Sequence, residues 1–488
     1  MAISFNNIPS TIRVPGVYSE VDNAQAVSGL QFIPYRRLLL GQKIAAGTAP
    51  ALVMVQVTSV AQAVTLFGAG SMLSGMVAAA LAQDSFAELW CLPIADNGAG
   101  VFAAGTITIA GTVTAAGTLN LYIAGRRIQV AVATTDTPTT IAAAVVAAIT
   151  ADTSLPVGAS NVAGVITITA KNKGEAGNSI DIRTNYYAGD ALPAGMSATI
   201  VAMASGATNP VLTAAIAAMG DEWFQVIAMP YTDAANLTIL EAELASRFGP
   251  LREIEGHAFA AASGAFGTIS TLGNSRNSPH LTIVQSTAEP MPPWEKAAET
   301  ASIAAYYAAI DPARPLQNLP YKWSLPPAMQ DLYTFEERNL LLYDGIATTY
   351  VDSAGVMQAE RLITTYKLNA AGGADASYLD SETMFTLMFI RHDWRDYVKR
   401  KYPRHKLASD GTRYGPGQAV VTPKLMKAEY VSKAREWEEA GLVENIDTMK
   451  AGIVSERNAS DPNRLDMLVP PDLVNQLRIV ANQIMFRL

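Results

Sequence analysis

The stretch Gln476–Leu488, QLRIVANQIMFRL, closes the chain in a strand pattern, where most chains end in polar residues that nothing ties down. Leu477, Ile479 and Ala481 alternate with Arg478 and Val480, the period of two expected of a half-buried strand. Near Asn482 the apolar phase moves to Ile484, Phe486 and Leu488, with Gln483 and Arg487 opposite, which predicts a β-bulge. Pro470-Pro471 stiffens the approach to this strand. A terminal apolar strand has two destinations, a sheet of its own chain or the open edge of a neighbour's sheet.

Working outward, the rest of the chain is large enough to supply either. It has 488 residues, 50% of them apolar and 16% charged, a length for about two to four domains with sizeable cores. A net charge of −8 and a pI near 5.2 argue against a protein that coats nucleic acid. The single cysteine, Cys91 in the apolar run LWCLPIA, excludes an internal disulfide framework and reads as a small buried hydrophobe. The opening MAISFNNIPS lacks the basic and apolar regions of a signal peptide, and no uninterrupted apolar run reaches the roughly 18 residues of a membrane span.

Residues 1–30 read as an extended arm, with Pro9, a Pro15-Gly16 turn and strand-like flanks Ile12/Val14 and Val17/Val21. From Pro34 the pattern is α/β: strands at 36–41 and 87–95, helices at 57–68 (Thr58 or Ser59 as N-cap, Gly68 as stop) and 71–83. Residues 97–206 change to Ala, Gly, Thr, Val and Ile, with short strands at 106–111, 118–125, 127–133, 164–172 and 179–187 and a helix at 139–151. This predicts a separate α+β module inserted in the first domain. The α/β pattern resumes with a helix near Asn209, a strand at 223–231, a helix at 233–249 capped by Asp233, strands at 257–264 and 280–286, and a helix at 292–310. Strands are expected at 340–352 and 357–368, joined by the turn Ser353-Ala354-Gly355. Helices are expected at 381–403 and from Thr422-Pro423, the latter with the apolar stripe Met426, Tyr430, Ala434, Trp437 and Gly441. Strand-like segments at 449–457 and 464–470 lead to the terminal strand.

Catalytic motifs are missing: there is no phosphate loop, nucleophile elbow, H-E-x-x-H or paired C-x-x-C. His257, His280, His392 and His405 are scattered, and the first two sit at strand starts, where a structural role is expected. GAGSMLSG (68–75) precedes a helix but lacks the lysine and spacing of a nucleotide cradle. No catalytic, cofactor or metal residue is assigned. Arg391, Arg395, Lys399, Arg400, Lys401, Arg404 and Lys406 form a basic cluster, read either as a solvated helix end or as a patch for an acidic protein surface.

Two motifs carry a resemblance. IPSTIRVPGVYSEVDN, with Pro15, Gly16, Val17, Tyr18 and Glu20, resembles the N-terminal arm of contractile phage tail sheath proteins, and Met485-Phe486-Arg487-Leu488 resembles that family's closing strand. The module at 106–187 and REWEEAGLVEN (435–445) are similar to the sheath of Mu-like phages. The resemblance implies an α/β and α+β multidomain fold. It divides into an N-terminal arm (1–30), an α/β sheath domain (31–96 and 207–371), the inserted module facing outward (97–206), a C-terminal α+β domain facing the tube (372–475) and a C-terminal arm (476–488). It implies a non-enzymatic subunit, without cofactor, of a sheath of stacked hexameric rings that contracts to drive a tail tube through the host envelope. The arm residues Ile12, Val14, Pro15, Gly16, Val17, Tyr18, Leu477, Ile479, Ile484, Phe486 and Leu488 would join neighbouring subunits, with Pro15-Gly16 and Gly29 as hinges. Lys424, Lys427 and Arg435, on one side of the 423–441 helix beside its apolar stripe, would touch the tube. Implied partners are further copies, the tail tube, baseplate and tail terminator proteins, with no direct nucleic acid and no membrane insertion. The implied place is the virion tail, after assembly in the host bacterial cytoplasm. A bacteriocin or injection-system sheath and, in another class, an α/β enzyme are the competing readings.

Overall fold

RLLLG and LWCLPI become adjacent parallel strands at the centre of a computed structural model that describes residues 13–19, 33–415 and 417–487. The chain divides into two units: Pro34–Met384, and a second holding Phe385–Leu488 with the described residues before Pro34.

The larger unit opens with β1 (Arg37–Gln42), β2 (Val55–Val57), α1 (Val60–Phe67), α2 (Met72–Gln83) and β3 (Leu89–Ile94). Helix α1 follows its local signals, since Ser59 accepts a hydrogen bond from the Gln62 N–H and Gly68 ends the helix at φ 91°. The glycine-turn region follows, with β4 (Phe102–Gly111), β5 (Gly117–Ile123), β6 (Arg126–Val132), α3 (Pro138–Ala151), β7 (Val157–Val162), β8 (Val165–Lys173), β9 (Ile182–Thr184) and β10 (Met196–Ala204). Next come α4 (Thr213–Met219), β11 (Val226–Ala228), α5 (Ala234–Phe248), β12 (His257–Ala262), α6 (Phe266–Asn274), β13 (Leu281–Gln285) and α7 (Pro293–Ile310). The unit ends with β14 (Leu319–Pro320), α8 (Phe335–Tyr343), β15 (Thr348–Val351), β16 (Met357–Arg361) and the start of α9 (Ser381–Lys401).

Its main sheet has the order β13-β12-β11-β1-β3-β2, parallel except for the edge strand β2. Every residue of β1, β11, β12 and β13 is buried, as expected of parallel strands covered on both faces. Helices α2 and α7 pack on each other and over these strands. A Cβ on Gly75 would stand 2.5 Å from Glu295 Oε1, so a larger residue on α2 would displace the Glu295 carboxylate of α7.

Between β3 and α4 the chain builds two antiparallel sheets, β10-β4-β8-β7 and β6-β5-β9. Ala124-Gly125 and Ala163-Gly164 have positive φ at both residues and form the two-residue turns of the β5–β6 and β7–β8 hairpins. Val101 bridges Ala207, so this segment leaves and rejoins the α/β core at one neck.

Several local expectations are corrected. The strand expected over 340–352 begins as helix α8. Thr334 and Glu337 form a capping box (Glu337 N to Thr334 Oγ1 3.2 Å, Thr334 N to Glu337 Oε2 2.8 Å) that outweighs the apolar run Leu340–Leu342. The strand expected over 357–368 stops at Arg361 and that over 179–187 spans Ile182–Thr184 alone. β7, β10 and α6 carry no sequence expectation: VGASNV is too polar, MSATIVAMA too rich in small residues, and FGTISTLGN holds Gly267 and Gly273 within a helix.

In the smaller unit α9 continues to Lys401, followed by β17 (Lys406–Leu407), β18 (Val420–Val421), α10 (Pro423–Glu439), β19 (Val443–Glu444), α11 (Ile446–Gly452), β20 (Val454–Arg457), β21 (Leu465–Leu468) and β22 (Asp472–Leu473). Its pairings are two-stranded, β17-β18, β19-β22 and β20-β21. Met426, Tyr430, Ala434 and Trp437 of the α10 stripe are buried. Gly441 is not part of that stripe but lies beyond the helix end at φ 72°, a left-handed cap. The strand expected over 449–457 opens as the last turn of α11. The Trp437 indole N–H donates to Asp393 Oδ2 at 2.7 Å, and the Lys433 ammonium lies 3.0 Å from the same oxygen, tying α10 to α9 below the protein surface.

Candidate interaction surfaces

The sequence leaves the destination of QLRIVANQIMFRL open. Just beyond β22 Val474 N bonds Leu442 O at 3.2 Å, and residues 474–487 form neither helix nor strand. Leu477 is 68% exposed, Ile479 82%, Ile484 88% and Phe486 80%. Both apolar phases are therefore exposed, and the bulge expected near Asn482 does not form within the chain. A run of such residues held in solvent is what folded chains avoid unless a partner covers it.

The described part of the N-terminal arm is also exposed, Val17 almost completely. Tyr18 is not free to reach outward, because its hydroxyl donates to Val14 O at 3.1 Å and its ring lies over Gly16, where a Cβ would stand 3.3 Å away. The arm thus closes a small turn that presents Val14 and Val17, with Pro15 fixing φ at its centre. Ile12, Gly29 and Leu488 lie outside the described residues.

Lys424, Lys427 and Arg435 do come together. They line a cleft of about 400 Å³ on α10, floored by Ala428, Val431 and Ser432, and the packing of α11 adds Lys450. Lys427 donates to Ile453 O at 2.7 Å, whereas Lys424, Arg435 and Lys450 are exposed and pair with no carboxylate among the described residues. No sequence signal identifies Lys450, because only the turn between α10 and α11 brings it to the cleft. The resulting surface, cationic at the rim and apolar at the floor, suits an acidic partner.

The residues that chemistry would need are committed elsewhere. His257 is buried with Nε2 2.8 Å from Thr282 Oγ1, and burial, with His280 nearby, lowers its pKa to about 3. Burial likewise lowers His280 to about 4, and it raises the Cys91 thiol far above its ordinary value. The N-terminus of α2 is filled by protein: Met72 N donates to Asn172 Oδ1 (2.9 Å) and Ser74 N to Ser71 Oγ (3.2 Å), so GAGSMLSG leaves no cradle for a phosphate. Among the described residues no cluster of His, Cys, Asp and Glu stands ready for a metal, and no helix is long and apolar enough to cross a membrane.

The described residues thus combine an α/β core, exposed apolar arm segments and a cationic cleft on α10. Residues 205–365 match the model of the phage tail sheath protein central domain, and 374–487 that of the phage tail sheath C-terminal domain. The chain is also 44% identical, over 486 residues and the full length of both proteins, to the Mu-like prophage FluMu tail sheath protein of Haemophilus influenzae. The chain belongs to the phage tail sheath family, in its Mu-like branch, and is accordingly a structural protein and not an enzyme. Among solved structures it is similar in fold to a chain of the anti-feeding prophage baseplate in the contracted state (TM-score 0.50, 11% identity, 98% of this chain and 100% of that one). A sheath tail protein from Desulfitobacterium hafniense matches with TM-score 0.47 at 13% identity, over 94% of this chain and 100% of that one.

Proposed function

We propose that this chain polymerises as stacked hexameric rings around a tail tube, held by strands exchanged between subunits, and contracts to drive the tube through the host envelope. The carrying observation is the arm 474–487, which forms neither helix nor strand and leaves Leu477, Ile479, Ile484 and Phe486 largely exposed. In this reading Leu477, Ile479, Ile484, Phe486 and Leu488 complete a sheet of one neighbour, and Ile12, Val14, Pro15, Gly16 and Val17 engage another, with Tyr18 holding the N-terminal turn in shape. The two-stranded pairings β17-β18, β19-β22 and β20-β21 leave open edges in the unit that would receive them. Main-chain bonds each contribute only about 1 kcal/mol, so two arms per subunit must act together to keep the lattice linked while rigid units rotate.

The domain assignments serve the same reading: arms at 1–30 and 476–488, an α/β core at 31–96 and 207–371, an outward module at 97–206 and a tube-facing domain at 372–475. The cleft of Lys424, Lys427, Arg435 and Lys450 is the proposed seat of the tube, and baseplate and terminator proteins would cap the stack. Assembly would take place in the host cytoplasm. Electron microscopy of the purified full chain tests this directly: striated tubes are expected, and a protein that stays monomeric at high concentration with isolated tube protein present would refute it.

A further inference from the structure

Helix α8 is apolar on both sides. Leu341 is buried, as the inner side of a surface helix should be. On the outer side Glu336, Leu340 and Tyr343 recur at i, i+4 and i+7 with Phe335 beside them, and Phe335, Leu340 and Tyr343 are all more than half exposed. Met329 and Leu332 extend this ridge, and outside the C-terminal arm no comparable stretch of described residues exposes so many large apolar side chains. The carboxylates of Asp331 and Glu336 on the ridge are exposed and meet no cation among the described residues. The capping box fixes the helix that carries them, so the ridge is preformed.

The smaller unit carries a surface of opposite character. Past the middle of α9 and in the loop beyond it, Lys399, Arg404 and Arg413 are exposed and pair with no carboxylate among the described residues. Among the described residues Arg400 pairs only with Asp396, one turn back on its own helix, at 3.5 Å. Tyr414 beside them is 48% exposed. This is the part of the basic cluster that neither the arms nor the α10 cleft uses.

We propose that these two surfaces meet between copies: the acidic apolar ridge Met329–Tyr343 of one subunit seats on the basic, tyrosine-bearing end of α9 (399–414) of a second copy. The charges are complementary, both patches are left over within the chain, and each offers an aromatic ring to the other. A filament that grows by head-to-tail contacts needs two different patches on every copy, unlike the self-complementary patch of a two-fold dimer. The contact rests on the reading of this chain as a self-assembling sheath subunit but not on the arms, which stay intact in every variant below.

A charge swap tests it. Asp331→Lys with Glu336→Lys, and separately Lys399→Glu with Arg404→Glu, should each raise the concentration needed for assembly by about tenfold at ordinary salt, since like charges would then face each other. All four changes in one chain should restore assembly toward the parental threshold. Because the residues are exposed, melting temperatures should stay within about 2 °C of the parent. Parental assembly of either two-residue variant, failure of the four-residue variant to recover, or a large fall in melting temperature for the ridge variant would each overturn the proposal. Failure of the arm reading would show separately, as tube formation by a chain lacking its C-terminal strand.

Discussion

Replacing Lys296 by methionine isolates a wholly buried ion pair of the larger unit. Lys296 is wholly buried on α7 and donates to the Glu289 carboxylate, to Gln285 O at 2.7 Å and to Thr349 Oγ1 at 3.3 Å. These bonds join the end of β13, the following turn and β15 to one helix. Burial lowers the Lys296 pKa and raises that of Glu289, each opposed by the partner's charge, so the pair keeps its charges only as a pair. Lys296→Met leaves Glu289 with Ser286 Oγ (3.1 Å) as its remaining side-chain partner. Breaking a buried pair from one side costs about 3–5 kcal/mol. At an unfolding entropy of ~2 cal/mol/K per residue that lowers the melting temperature of Pro34–Met384 by about 4–7 °C. The companion change Glu289→Leu should recover most of the loss, because an apolar replacement of both partners removes the stranded charge. The pH dependence has a definite sign. With Lys296 gone, the folded-state pKa of Glu289 rises further above its unfolded value, so the variant's deficit relative to the parent shrinks as pH falls from 7 to 5. Calorimetry at both pH values checks this. A single mutant that melts within 1 °C of the parent, or a double mutant no better than the single, would refute the reasoning.

Reversing Lys424, Lys427, Arg435 and Lys450 to glutamate together should abolish binding to isolated tail tubes in co-sedimentation while leaving sheath self-assembly intact. Single reversals should have little effect, since exposed pairs contribute about 0–1 kcal/mol each. The folded-state pKa values of His257 and His280, about 3 and 4, lie below the unfolded value, so below about pH 6.5 the unfolded chain takes up protons that the folded one refuses. Stability should therefore fall with pH between about 6.5 and 4, by up to about 1.4 kcal/mol per pH unit for each histidine, and replacing both by asparagine should flatten that part of the profile. Excising 97–206 should leave a soluble remainder that still polymerises. It should melt below the parent, because Met72 N loses Asn172 and Glu295 loses Arg126 (3.3 Å).

Where local chemistry and tertiary packing agree, the elements can be read from the residues. Ser59 with Gly68, Asp233 and Thr422-Pro423 mark helix ends where they are found, and RLLLG and LWCLPI are too short and too apolar for anything but buried strands. The errors arise where two signals compete. Leu340-Leu341-Leu342 suggests a strand to a reader of hydrophobicity, yet the capping box at Thr334 and Glu337 was visible in TFEE and decides for a helix. Other elements carry no local signal at all. β7 is held as a strand by pairing with β8, and the place of Lys450 in the cleft depends on the turn into α11. The C-terminal segment is the opposite case, a strong local strand pattern that forms no strand within 474–487 and leaves its large apolar side chains exposed.

Deleting residues 477–488 is the most direct test of the exchanged arm. The deletion removes Leu477, Ile479, Ile484, Phe486 and Leu488, each contributing about 1.5–3 kcal/mol where it becomes buried, and in the isolated chain those described among them are exposed. The measurement is paired: melting temperature of the dilute protein, and electron microscopy of the same preparation when concentrated. Strand exchange predicts a truncated chain that melts within about 1 °C of the full-length monomer and forms no striated tubes. A truncated chain that still forms tubes, or one whose monomer melts far lower, would contradict it.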